Sequence, residues 1–276
     1  MPESHRLRLA ALPAPHRSVW DGVVANFTRQ PGIWAIWLEG SWARGTGDTY
    51  SDLDLRVVVA AEAWRTVWER RRQLAASAVP MAMDLDHQFA PPASPVLSYA
   101  AWYGTGVYLD LTWVQADGAA APGAVRLWRA GEPAASADPS PYPAVTVATD
   151  PFDDAVRTFW MGSPLCAKYL KRGQLWTALW FLESRRAQFL KAWRVAHASP
   201  RADWSWSDVE ADLPADVLAE LSHTVTRLEA PAMWDALARL MALMARCGPE
   251  LAARRGSLYP KAKAAAIADI VAHIRG

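Results

Sequence analysis

The chain of 276 residues carries 29 Lys and Arg against 28 Asp and Glu, a formal charge of +1. This balance excludes the basic field that holds a long nucleic-acid backbone, and two cysteines, Cys166 and Cys247, exclude a disulfide scaffold or a cysteine zinc site. Met1 to Pro15 lacks a signal-peptide core and no stretch reaches membrane-spanning length, so a cytoplasmic chain with no membrane partner is expected.

In chain order, Val19, Trp20, Val23, Val24 and Phe27 recur at helical spacing and predict a helix over 16–29 that Pro31-Gly32 stops. Apolar, β-prone residues 33–39 then predict a strand, a glycine-rich turn with a short helix follows, and residues 52–59 return as a second strand. Residues 61–76 read as one amphipathic helix, 81–89 and 106–114 as two further strands, and Val125 to Trp128 as a last strand before an Ala-, Pro- and Gly-rich linker.

Beyond residue 150 the β-branched residues thin out and apolar residues fall at three- and four-residue spacing, which predicts a helical bundle. Gly162-Ser163-Pro164 reads as the start of a helix that Gly173 ends. Helices over 174–196, 214–228, 231–246 and 260–274 follow, with a loop over 201–208. The reading is an α+β protein, with a mixed-sheet domain over 1–148 and an α-helical bundle over 149–276.

The chemistry concentrates between residues 37 and 59. Asp52 and Asp54 lie two apart on a strand and project to one face with Arg56. Two converging carboxylates repel each other, and a divalent cation with a preference for oxygen ligands, Mg²⁺ or Mn²⁺, holds both ionised. Upstream, Gly40 admits a phosphate close to the main chain, Ser41 offers a hydroxyl at the start of a short helix, and Arg44 adds a cation. Such a half-site suits a nucleotide's phosphates bridged by metal to Asp52 and Asp54. Two alternatives fall away. An EF-hand loop counted from Asp48 ends on Val59 where a glutamate is required, and no Gly-Lys-Ser/Thr completes a Walker A loop.

Glu183 is a further candidate, because Trp176, Trp180, Ala187 and Leu190 surround it at helical offsets. In an apolar stripe its pKa would rise toward the range of a general base that takes a proton from an acceptor hydroxyl. The competing reading is an ion pair with Arg186. Trp204, Trp206, Asp203, Asp208 and Glu210 form an acidic, aromatic loop suited to an amino sugar or to ordinary packing. Of the sixteen tryptophans most are expected to fill the core.

The segment from Leu38 to Val59, with Gly40-Ser41 followed at a spacer by Asp52-Leu-Asp54-Leu, resembles the nucleotidyltransferase superfamily of DNA polymerase beta type. Within it the chain is similar to the bacterial aminoglycoside and lincosamide nucleotidyltransferases, which add a helical domain to a minimal catalytic one. The resemblance implies two Mg²⁺ ions, a nucleoside triphosphate such as ATP, and transfer of its monophosphate to a hydroxyl of a small antibiotic-like acceptor. It implies a third acidic ligand, for which Asp110 is preferred over Asp84 and Asp86, since a lone carboxylate in an apolar strand is costly unless partnered or metal-bound. Residues 158–173 resemble a second-domain helix in which Lys168 takes a phosphate-contacting role. Left open are a protein-modifying nucleotidyltransferase of a toxin–antitoxin pair, a degenerate nucleotide-binding module, GTP in place of ATP, and a monomer or homodimer.

Overall fold

The computed structural model describes residues 11–87, 97–115, 123–130, 150–202 and 206–276, with the side chains of His87 and Gln115 left undescribed. The expected features at Asp203 and Trp204, the end of the strand predicted to 89 and the linker over 131–149 lie outside these residues. The chain divides into two compact units, Met1–Val147 and Ala148–Gly276.

In the first unit, α1 (Ala14–Arg29) leads through Gly32, at φ +83°, into β1 (Ile33–Leu38). A single helical turn, α2 (Gly40–Arg44), and a loop connect to β2 (Leu53–Val59). β3 (Met81–His87), β4 (Leu97–Tyr103), β5 (Tyr108–Gln115) and β6 (Val125–Arg129) complete a six-stranded mixed sheet in the order β3-β4-β5-β2-β1-β6. β2 and β5 run parallel, and the other neighbours are antiparallel.

Strand alternation sorts the two faces. Leu53, Leu55 and Val57 of β2 and Leu109, Leu111 and Trp113 of β5 join Val19, Val23 and Phe27 of α1 in one apolar core. The intervening residues Asp54, Arg56, Asp110 and Thr112 therefore belong to the opposite face. There a small cluster of Ala35, Val58 and Val114 supplies the apolar contacts.

Two expectations in this unit are corrected. The single helix predicted over 61–76 is a 3-10 turn (Ala61–Ala63) followed by α3 (Trp64–Glu69) and α4 (Arg71–Leu74), broken at Arg70 with φ −90° and ψ 0°. The break follows the packing: Trp64, Val67 and Trp68 are buried, and Arg71 turns to grip Asp86 through two 2.5 Å hydrogen bonds. β4 was not anticipated. All seven of its residues are buried, so it lacks the alternation that marks a half-exposed strand.

The second unit is helical: α5 (Pro151–Lys171), α6 (Leu175–Ala196), α7 (Val209–Asp212), α8 (Ala215–Ser222), α9 (Ala230–Arg255) and α10 (Lys261–Arg275). Asp150 caps α5 by accepting from the Phe152 and Asp153 amides at 2.9 and 3.3 Å. The helix expected to begin at Ser163-Pro164 instead starts at Pro151 and runs through Pro164. Gly162 sits where the buried Arg185 guanidinium of α6 presses on α5, and a Cβ there would overlap it. Gly173, at φ +69°, follows the end of α5. The helix expected over 214–228 ends at Ser222, and the one expected over 231–246 extends as α9 through Pro249 to Arg255.

Candidate active site

The site is built where β1 and β2 part. β1 ends at Leu38, and Glu39 donates its amide to the Asp54 carbonyl at 2.9 Å, closing the ladder beside the second carboxylate of the motif. Gly40 follows at φ +63°, in the left-handed region, and a Cβ there would overlap the Asp54 carboxylate. Both the backbone conformation and the space thus require glycine. Ser41, second in α2, accepts the Thr46 amide at 3.0 Å through its carbonyl and is partly exposed; Arg44 is exposed.

The loop returning to β2 is held from several sides. Asp48 accepts from the Tyr50 amide and the Ser51 hydroxyl, both at 2.9 Å. Buried His16 of α1 donates through Nε2 to the Ser51 carbonyl at 2.8 Å, immediately before Asp52, and its ring meets Trp42 edge-on at 5.4 Å. Trp42 in turn covers Gly47 so closely that a Cβ would collide with the indole. Neither His16 nor Glu39 was singled out from the sequence, since one packs from a distant helix and the other precedes the motif.

The parallel pairing of β2 with β5 sets Asp54 directly beside Asp110. Neighbouring strands lie about 4.8 Å apart and in-register residues share a face, so the preferred third acid stands next to the motif. Burial pushes the Asp110 carboxyl up to about 6, and the charges of Asp52 and Glu39 add to the effect. Asp84 and Asp86 are placed elsewhere. They lie on β3, separated from β5 by β4, with Asp86 held by Arg71 and Asp84 by Arg72 at 3.2 Å and the Tyr99 hydroxyl at 3.3 Å.

Among the described residues no three His, Cys, Asp or Glu side chains are grouped closely enough to cage a metal ion by themselves. The donors present fit Mg²⁺ in another way. They are all carboxylate oxygens, and this ion characteristically takes one or two carboxylates and completes its shell with water and substrate phosphate.

In the helical unit Lys168 is 2% exposed on α5, so it is not the solvated surface charge that a helical lysine usually is. Glu183 departs from its expected setting. It is 49% exposed and ion-paired with Arg186, while its neighbours Trp176 and Trp180 are 75% and 64% exposed, so no apolar stripe desolvates it. Arg186 is anchored by the Thr224 hydroxyl at 2.9 Å and the Thr224 carbonyl at 2.6 Å. Glu183, Arg186, Trp206, Glu210 and Ser222 line a hollow of about 430 Å³ within this unit. No helix among the described residues is long and apolar enough to cross a membrane.

Comparison with known proteins adds to this geometry. Residues 137–274 match the family model described as streptomycin adenylyltransferase. Among solved structures, an aminoglycoside 6-adenyltransferase from Bacillus subtilis is similar at 18% identity, covering 92% of this chain and 97% of that one, with a TM-score of 0.39. No curated protein matches.

Proposed function

Because the chain belongs to the streptomycin adenylyltransferase family, we propose that this adenylyltransferase moves AMP from ATP to a hydroxyl of an aminoglycoside, with Mg²⁺ as its metal. The carrying observation is the Asp54–Asp110 pair beside a turn that only glycine can make. That site lies in the first 147 residues, whereas the family match begins at residue 137. Motif and family match therefore support the same chemistry from largely separate parts of the chain.

In this reading residues 1–148 are the catalytic domain and residues 149–276 bind substrate. Asp52, Asp54 and Asp110 hold Mg²⁺, which when bound neutralises phosphate charge and makes the α-phosphorus more electrophilic. Gly40 lets the main chain approach the triphosphate, while Ser41 and Arg44 contact its oxygens. Buried Lys168 of the second unit is the lysine to which the family resemblance gives a phosphate-contacting role. The acceptor oxygen attacks the α-phosphorus, the new P–O bond forms as the bridge to the β-phosphate breaks, and pyrophosphate leaves with the bond's electrons.

Glu183 takes the acceptor proton, an assignment that rests on its place at the hollow and not on desolvation. Glu210 and the half-exposed Trp206 beside it offer charge and a stacking face to an amino sugar.

The test is transfer of labelled AMP from ATP to streptomycin and a panel of other aminoglycosides. Asp54→Asn should cut turnover at least about a hundredfold, the scale of losing several kcal/mol of charge stabilisation. Glu183→Gln should lower kcat with little change in ATP affinity. No labelled product from the folded wild type would overturn the reading, and an unchanged kcat in Glu183→Gln would move the proton elsewhere.

A further inference from the structure

Arg56 shares the carboxylate face of β2 with Asp54 but stands two residues further from the turn. It lies opposite Trp37 of β1, from where its side chain reaches diagonally to Glu39. The guanidinium meets that carboxylate as a fork, Nε to Oε1 at 2.5 Å and Nη2 to Oε2 at 3.2 Å. The side chains are only 18% and 15% exposed, so the pair is shielded from the screening that weakens surface ion pairs.

Glu39 occupies a sensitive position. Its amide is bonded to the Asp54 carbonyl, the next residue is Gly40, and its charge is felt at Asp110. An unneutralised acid here would sit among the carboxylates and repel a triphosphate, and a Glu39 free to swing would loosen the turn. A planar fork with two aligned donors prevents both, which a single ammonium group does less well.

We propose that Arg56 is a positioning residue for nucleotide transfer: by gripping Glu39 it fixes the Gly40–Ser41 turn against the strand of Asp54 and cancels an acid that would oppose the triphosphate. This rests on the nucleotidyl-transfer reading above.

The experiment uses full-length wild type, Arg56→Met, Arg56→Lys, Glu39→Gln and the double variant Arg56→Met with Glu39→Gln. Each is assayed for kcat and KM for ATP with streptomycin, for ATP affinity by calorimetry in Mg²⁺, and for its thermal midpoint. Arg56→Met should raise both KM and the dissociation constant for ATP about tenfold, an electrostatic effect of roughly 1.4 kcal/mol. The double variant should recover most of that affinity, because the opposing charge is gone. Arg56→Lys should fall between, and it carries the test if Arg56→Met does not fold.

A lowered thermal midpoint with ATP affinity unchanged in every folded variant would overturn the proposal, since a purely structural brace behaves that way. A double variant as weak as Arg56→Met would overturn the charge-cancelling role. Failure of the underlying reading is distinct, because it appears as absent transfer by the wild type itself and removes the positioning role with it.

Discussion

At the scale of single residues, Asp110 sets stability against the metal-holding role proposed for it. Its carboxyl is pushed up to about 6 in the folded chain from an ordinary value near 4, chiefly by burial. Between those values the folded state binds more protons than the unfolded one, so stability from this group is present at low pH and is lost as pH rises through about 6. A shift of about two units corresponds to roughly 3 kcal/mol, an upper bound for the cost of keeping the ionised acid in the metal-free protein at neutral pH. Asp110→Asn should therefore raise the thermal midpoint in chelator at pH 7.5, with the gain shrinking toward pH 4, while AMP transfer collapses. A variant less stable than wild type at pH 7.5 would contradict this account.

The legibility of the sequence also divides by residue. Gly40, Ser41, Asp52 and Asp54 stood out as candidates because their spacing matches the motif of the family they resemble, and Asp110 because that resemblance implies a third acid and a lone carboxylate in an apolar strand demands a reason. For Glu183 only the expected apolar setting is corrected, since helical offsets say which residues are neighbours but not whether that face is covered, and Trp176 and Trp180 are exposed. The grip of Arg56 on Glu39 left only a faint trace, the two-residue step that placed Arg56 on the carboxylate face.

At the scale of elements, periodic segments with caps were legible and those shaped by tertiary contact were not. Alternation marked β5, but β4 is buried on both faces and has none. Gly162-Ser163-Pro164 carries the letters of a helix start, yet the glycine answers a different demand, the approach of Arg185 from α6. Gly162→Ala gains about 1 kcal/mol of helix propensity and should nevertheless destabilise, by about 1–3 kcal/mol net, because the added methyl overpacks against a buried guanidinium. Denaturant unfolding measures this, and a neutral or stabilising effect would show that Arg185 yields without cost.

At the scale of the whole molecule, the near-neutral charge suits small ligands that bring their own charge. ATP with Mg²⁺ at a hundred times its dissociation constant should stabilise the unit that binds it by about 2.7 kcal/mol. Tryptophan fluorescence during heating reads this, and chelator should remove most of the shift. An equal shift with and without chelator would argue against a metal held by Asp52, Asp54 and Asp110.

The parallel pairing of β2 with β5 also has a kinetic consequence. Asp54 and Asp110 lie 56 positions apart in the chain and meet only when this pairing forms. Such a contact draws together a long loop whose entropy must be lost before the pairing gives anything back, so it forms late compared with the local turns of the helical unit. The two carboxylates therefore come together near the end of folding, and under the proposed function chains still collapsing, without this strand pair, should transfer nothing.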